Sequence, residues 1–307
     1  MSHGQRLTIV VAVEESAANL PAIVASLDPA AHPDCDFVFC AADPTELALV
    51  PAGVAHVRSL HCAPGSRIPQ MWRDGIVAAR SDSVALLTAH VVPTSRWLPA
   101  LLARPLASDE AGVGGYFSNA DGSPALDWAI YLLRYAGFSR PVSRASVPHI
   151  AADNAVYRRS EVLACADLVE RGFWEVEYHV RFLAKGLRLA LSAELEVIHV
   201  NRYSAHSFAA QRREHGFTFG RDRARRLSTV RLAGLALAAP LVPWVLFAKV
   251  LARTHRHGWT GEAPGAAYAW LLYFVSHWSW GEVRGLFHEL FRRVSCRPWP
   301  SRRRPFP

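Results

Sequence analysis

Lysine is nearly missing from this chain. Only Lys185 and Lys249 occur among 307 residues, so the 34 basic side chains are almost all arginine. Set against 26 acidic residues, they leave a net charge of +8. The planar donor fork of arginine suits phosphate, and clustered arginine suits an anionic membrane surface. Cysteine is sparse and scattered at Cys35, Cys40, Cys62, Cys165 and Cys296, with no C-x-x-C and no tight His/Cys cluster. That argues against a zinc knuckle or a disulfide scaffold and fits a reducing compartment. No G-x-G-x-x-G and no G-x-x-x-x-G-K-[ST] follows the first apolar run, which argues against a dinucleotide dehydrogenase and a P-loop NTPase. The opening MSHGQRLTIVVA runs straight into apolar sequence without the pattern of a cleavable signal, so the catalytic part is expected to face the cytoplasm. The arginines lie beside apolar runs rather than beside exposed stacking aromatics, so no nucleic-acid partner is expected.

What is present is a folded composition, 51% hydrophobic and 20% charged, long enough for one large domain and an appendage. Residues 7–13 (LTIVVAV) form a short apolar run ending in Glu14-Glu15-Ser16, and a helical pattern follows through Leu20, Ile23, Val24 and Leu27. Further apolar runs cover 36–41, 55–60, 83–87 and 111–116. Helical stripes lie between them, one over 67–80 with Ile68, Met71, Trp72, Ile76 and Ala79 on one face, another over 97–102. Short apolar runs alternating with helices predict an open α/β sheet with right-handed crossovers. Ligands in such sheets bind beyond the carboxyl ends of the strands. Those ends carry Glu14, Asp43 and His90.

Several segments resemble family 2 glycosyltransferases. The 7–27 region is similar to the family's opening strand, acidic turn and first helix. Trp72-Arg73-Asp74-Gly75-Ile76-Val77-Ala78-Ala79 followed by SDSVALLTAH is similar to the helix and strand that lead to its metal-binding turn, and PTSRWLPALL to the helix after that. Ala151 to Ser160 (AADNAVYRRS) and Gly172 to Gly186 (GFWEVEYHVRFLAKG) are similar to its acceptor-side half. The resemblance spans roughly residues 7–200. It implies the GT-A fold, an open mixed sheet flanked by helices, and an inverting transfer of sugar from a nucleotide diphosphate sugar. It places Glu175 as the general base, with Glu177 and Trp174 on the acceptor side. Residues i and i+2 do not share a helix face, so only one of the two glutamates is expected to line a pocket. Asp153 and Asn154 are expected beside the donor sugar or acceptor, Asp43 and Glu14 at the base or ribose, and Arg73 near phosphate.

The chain departs from the family where a D-x-D motif would hold a divalent cation. It has Thr88-Ala89-His90 there, without a carboxylate. Three roles stay open for His90: a metal ligand together with His199, a hydrogen-bond partner of the diphosphate without metal, or a remnant of a decayed site. Two histidines suit Mn²⁺ better than the hard cation Mg²⁺, and a metal-independent site is equally compatible with the turn.

The C-terminal third differs in character. Residues 207–226 form a strongly basic helix candidate. An uncharged run, 232–248, contains Pro240 and Pro243, and a shorter aromatic run covers 266–280. A spanning helix needs about twenty apolar residues, so interfacial or re-entrant helices are expected, with a buried helical subdomain as the alternative. The expected organisation is a glycosyltransferase-like domain over 1–205, membrane-associated amphipathic and apolar helices over 206–290, and a basic disordered tail over 291–307. The expected activity is sugar transfer to a lipid-linked or polysaccharide acceptor by a peripheral protein at the cytoplasmic face of the cell membrane. The alternative is a non-catalytic subunit of a membrane polysaccharide assembly that binds nucleotide or partner proteins.

Overall fold

The computed structural model describes residues 7–139, 141–225, 227–256 and 263–295. The chain divides into two compact units, with the division between Arg202 and Tyr203.

The first unit is a mixed α/β sheet flanked by helices. Its strands are β1 (Leu7–Ala12), β2 (Cys35–Ala41), β3 (Val57–His61), β4 (Ser83–Thr88), β5 (Val91–Pro93), β6 (Glu110–Asn119), β7 (Arg144–Val147), β8 (Asn154–Arg158) and β9 (Arg188–His199). Its helices are α1 (Leu20–Leu27), α2 (Ile68–Ala78), α3 (Trp97–Ala103), α4 (Ala125–Tyr135), α5 (Arg159–Leu163), α6 (Ala166–Val169) and α7 (Glu175–Ala184). The spatial order is β3-β2-β1-β4-β8-β6-β9-β5, with β7 pairing β9. The first four strands in that order are parallel, and β8 enters antiparallel between β4 and β6. Strands β1 and β2 are buried along their whole length, which explains their largely apolar sequence: a parallel strand covered on both faces has no solvent side to mark with polar residues, and the two polar exceptions are bonded, Thr8 to Ser81 and Asp36 to Arg58.

Two side-chain amides tie the strands together. Asn154 is fully buried. Its Oδ1 accepts from Trp97 Nε1 at 2.7 Å, and its Nδ2 donates to the carbonyls of Tyr116 and Leu195, each at 2.9 Å. Asn19 donates to the carbonyls of Ala89 (2.8 Å) and Val200 (3.0 Å) and accepts from Arg202 Nε (2.7 Å). Each fills polar valences that would otherwise be costly to bury.

The second unit contains α8 (Ala205–Arg225), α9 (Thr229–Ala238), α10 (Val242–Arg256) and α11 (Gly265–Ser295). Helices α8 and α11 run parallel and touch backbone to backbone. A Cβ at Gly216 would lie 2.0 Å from the Trp278 carbonyl oxygen, one at Gly220 2.3 Å from that of Glu282, and one at Gly281 2.0 Å from that of Arg213. Two G-x-x-x-G pairs therefore permit a contact that side chains would block, as in tightly packed helix pairs generally. Two buried carboxylates lie along the same pair. Glu282 accepts from Arg223 at 2.9 Å and Glu289 from Arg292 at 2.6 Å.

Arg223 is turned to a carboxylate inside the unit, so the basic face of α8 is partly neutralised. Residues 291–295, expected in a disordered tail, form the last turn of α11, where Arg293 donates to the carbonyls of Ala224 (2.6 Å) and Leu227 (2.8 Å). The remainder of that tail lies outside the described residues. The long apolar run is interrupted by a 3-10 turn at Ala239–Leu241, because Pro240 and Pro243 supply no backbone donor. Among the described residues no single helix is long and apolar enough to cross a membrane. One pair bent by 44°, Thr229–Leu235 with Ala239–Arg256, passes by length and composition.

Candidate active site

The carboxyl edge of the sheet gathers chain segments that are far apart in sequence. The Ala89 N–H donates to the Ala12 carbonyl (2.8 Å) and the Val200 N–H to the His90 carbonyl (2.9 Å). Strand β8 begins at Asn154, opposite Leu87 of β4, which places Asp153 beside the end of β4. His199 pairs with Val91 of β5 and with Asn119 of β6. Helix α4 follows β6 and lays its last turn over this edge, with Tyr135 stacked on Phe117 at a centroid distance of 4.1 Å.

The result is a buried polar layer. His90, Asp153, Asn154 and His199 are all buried. Asp153 accepts a hydrogen bond from the Tyr135 hydroxyl and lies 3.4 Å from Arg134 Nη2. His199 Nδ1 is 3.1 Å from Asn119 Oδ1, while its Nε2 has no hydrogen-bond partner among the described residues. Burial drives the His199 imidazole down to about 3, helped by the Arg134 charge. Burial also holds His90 well below the ordinary histidine range, again with Arg134 contributing and then His199. Burial raises Asp153 above the usual carboxylate range, partly offset by Arg134.

Glu175 faces this layer from α7, whose position is fixed by the preceding residues. Gly172 has φ +108°, a conformation that L side chains rarely adopt. The Phe173 N–H then donates to the Pro69 carbonyl at 2.7 Å. The Phe173 ring is fully buried against Tyr178 (4.5 Å), Tyr157 (5.0 Å) and Trp72 (6.4 Å). Trp174 caps the helix and Glu175 is its first residue. The Glu175 side chain is partly accessible, yet surrounding protein pushes its carboxyl up to about 7. The local backbone works against that shift, the Asp153 charge adds to it, and Arg134 reduces it. Tyr157, whose hydroxyl is 3.0 Å from His179 Nε2, is pushed up by burial and then by the Glu175 charge.

The other expected residues are distributed as follows. Glu177 turns away from Asp153 to pair with Arg171 at 2.6 Å. Trp174 is 37% exposed beside it. Glu14 is half-buried at the end of β1. Asp43 is exposed and caps a 3-10 turn, accepting from the Thr45 N–H (2.9 Å) and hydroxyl (2.7 Å), which holds its carboxyl below the usual range. Arg73, expected near phosphate, donates to the carbonyls of Val169 (3.4 Å) and Glu170 (3.3 Å) and so braces the approach to Gly172. Asn154, expected beside the donor sugar or acceptor, is buried and holds strands together.

A divalent cation was one of the alternatives that the 88–90 turn left open. Among the described residues no group of three or more His, Cys, Asp or Glu side chains is placed to hold a metal ion. The two candidate ligands, His90 and His199, are buried and lie within the field of Arg134, which disfavours added positive charge on both. This donor set does not fit Mn²⁺ or Mg²⁺.

Sequence reasoning missed Arg134, Tyr135, Asn119 and Arg202. The available signal was YLLRY at 131–135, a lone arginine between aromatics on an otherwise apolar helix. A cavity of 340 Å³ lies elsewhere, in the second unit, lined by Ala239, Pro240, Pro243, Trp280, Val283 and Phe287 with two serines. It contains no titratable group.

No family model matches the chain, and no curated protein matches it. Matching solved structures include the mannosyltransferase PcManGT from Pyrobaculum calidifontis in complex with GDP-Man and Mn²⁺. It is 12% identical at a TM-score of 0.46, over 96% of this chain and 76% of that one. Similarity at that level leaves function to be read from the site itself.

The Glu175 environment has a measurable consequence for stability. A carboxyl raised to about 7 in the folded state favours folding below its unfolded pKa and loses that contribution as pH rises through 7. Glu175→Gln removes the ionisation. Relative to the parent, its Tm should be higher by about 2–4 °C more at pH 8 than at pH 5, the size of a ~1 kcal/mol effect discounted for partial accessibility. An equal Tm difference at the two pH values would place the carboxyl in water.

Proposed function

We propose that the chain is an inverting glycosyltransferase that uses a nucleotide diphosphate sugar, with Glu175 as general base. What carries this is the placement of Glu175: first residue of α7, partly accessible, its carboxyl pushed up to about 7 by burial and acted on by the Asp153 and Arg134 charges. Ligands bind at that edge in open α/β sheets. A base with a pKa near the operating pH is both largely available and strong enough to take a proton.

In the reaction, an acceptor hydroxyl oxygen bonds to the anomeric carbon from the face opposite the leaving group. Its proton passes to the Glu175 carboxylate. The bond from the anomeric carbon to the diphosphate breaks, and the nucleoside diphosphate leaves with the electron pair. Attack from the opposite face inverts the centre. Trp174 and Glu177 are assigned to the acceptor side, to meet a lipid-linked or polysaccharide hydroxyl, and Glu14 and Asp43, which follow β1 and β2, to the nucleoside. The missing D-x-D favours a non-catalytic nucleotide-binding subunit, but such a subunit has no use for a carboxyl held near 7. Glu175→Gln should preserve folding and donor binding and reduce turnover by roughly a hundredfold or more. Undiminished turnover would remove Glu175 from the mechanism.

The second unit is proposed to seat the protein peripherally on the cytoplasmic face of the cell membrane. Val230, Leu237, Leu241, Trp244 and Val245 of the α9–α10 region are exposed, Leu237 by 84%. Arg231, Lys249, Arg253 and Arg256 are exposed among them. Apolar insertion resists salt, whereas attraction of arginine to anionic lipid is screened by it. Detergent should therefore release most of the protein from membranes and high salt little. Quantitative recovery in a detergent-free soluble fraction would contradict membrane seating.

A further inference from the structure

Two arginines lie near the 88–90 turn, close enough that both charges act on His90. Arg202 is held by Asn19. Its Nε donates to Asn19 Oδ1 at 2.7 Å, and Asn19 in turn bonds the Ala89 carbonyl at 2.8 Å. Val200, two residues earlier, bonds the His90 carbonyl at 2.9 Å. Arg134 is held by Tyr135 and Asp153. Its guanidinium lies 5.2 Å from the centre of the Tyr135 ring, which meets His199 edge-on at 5.4 Å, and its Nη2 is 3.4 Å from Asp153. The buried polar layer lies beneath, while Arg134 remains 18% accessible and Arg202 is exposed. Positive charge is thus concentrated at the strand end whose sequence offers no carboxylate for a cation.

Resting on the transferase function proposed above, we infer that Arg134 and Arg202 form a diphosphate clamp, so that side-chain guanidinium groups supply the positive charge at the leaving group. The chemistry of the pair fits this. A guanidinium carries five donors in a plane, more than a single carboxylate uses, and matches phosphate oxygens in pairs. Asp153 neutralises part of the Arg134 charge, but it also accepts from the Tyr135 hydroxyl. That bond keeps Asp153 satisfied when a phosphate draws the guanidinium away. The buried Asp153–Tyr135 pair therefore positions Arg134, and Asn19 positions Arg202. As the sugar–phosphate bond breaks, negative charge grows on the diphosphate, and fixed cations stabilise that growth without reorganising.

The test is binding of UDP, UMP, GDP and GMP to the full chain in EDTA, measured by calorimetry. The parent protein should bind a diphosphate at least about tenfold more tightly than its matching monophosphate, the scale of one or two charge-assisted hydrogen bonds. Arg134→Gln should abolish that preference while monophosphate binding persists, and Arg134→Lys should retain part of it. Arg202→Gln, whose amide still offers a donor to Asn19 Oδ1, should reduce the preference several-fold. The clamp is overturned if both glutamine variants keep the full preference, or if the parent shows it only after Mn²⁺ is added. Absence of binding by all four nucleotides would overturn the transferase proposal, and the clamp with it.

Discussion

A carboxylate that leaves water must be repaid by its surroundings or take up a proton. Glu175 is held close to that balance. Burial raises its carboxyl and the neighbouring Asp153 charge adds to the shift, while the local backbone and Arg134 oppose it. The balance depends on placement, and placement depends on Phe173, whose buried ring fixes the first turn of α7 against Trp72, Tyr157 and Tyr178. Gly172 permits the turn that aims that ring, and Arg73 braces the segment before it. Glu175 is thus positioned by the packing of the residues just before it.

The carboxyl edge has two layers with different tasks. The lower layer is buried and its polar atoms are largely occupied: Asn154 links β8 to Trp97, β6 and β9, and Asn119 holds one nitrogen of His199. The upper layer, with Glu14, Arg134, Glu175 and Arg202, retains access to solvent. Burial and the Arg134 charge push both histidines down, while burial pushes Asp153 up and Glu175 up to about 7. The second unit follows a separate logic, with glycines that let α8 and α11 meet and buried glutamates that neutralise arginines along the pair.

Strands β1, β2 and β4 were legible because full burial makes them largely apolar runs. The pairing of β6 with β9 was not, since it joins residues some eighty apart and leaves no local pattern. Glu175 and Glu177 were separable by helix geometry alone: they differ by two residues and face different partners. The bonds of Asn154 were not legible, because its partners Trp97, Tyr116 and Leu195 lie on other elements. The partners of Arg223 and Arg225 were not legible either, because Glu282 and Glu289 lie in another helix.

The central claim is that Glu175 ionises near neutral pH because protein surrounds it. A carbon-13 NMR titration of the full chain labelled at glutamate carboxyl carbons reads this directly, with Glu175→Gln identifying the resonance. The account predicts that the resonance missing from the variant has its midpoint at about 7, well above that of an exposed glutamate near 4.3. A missing resonance that titrates with the exposed glutamates would contradict it.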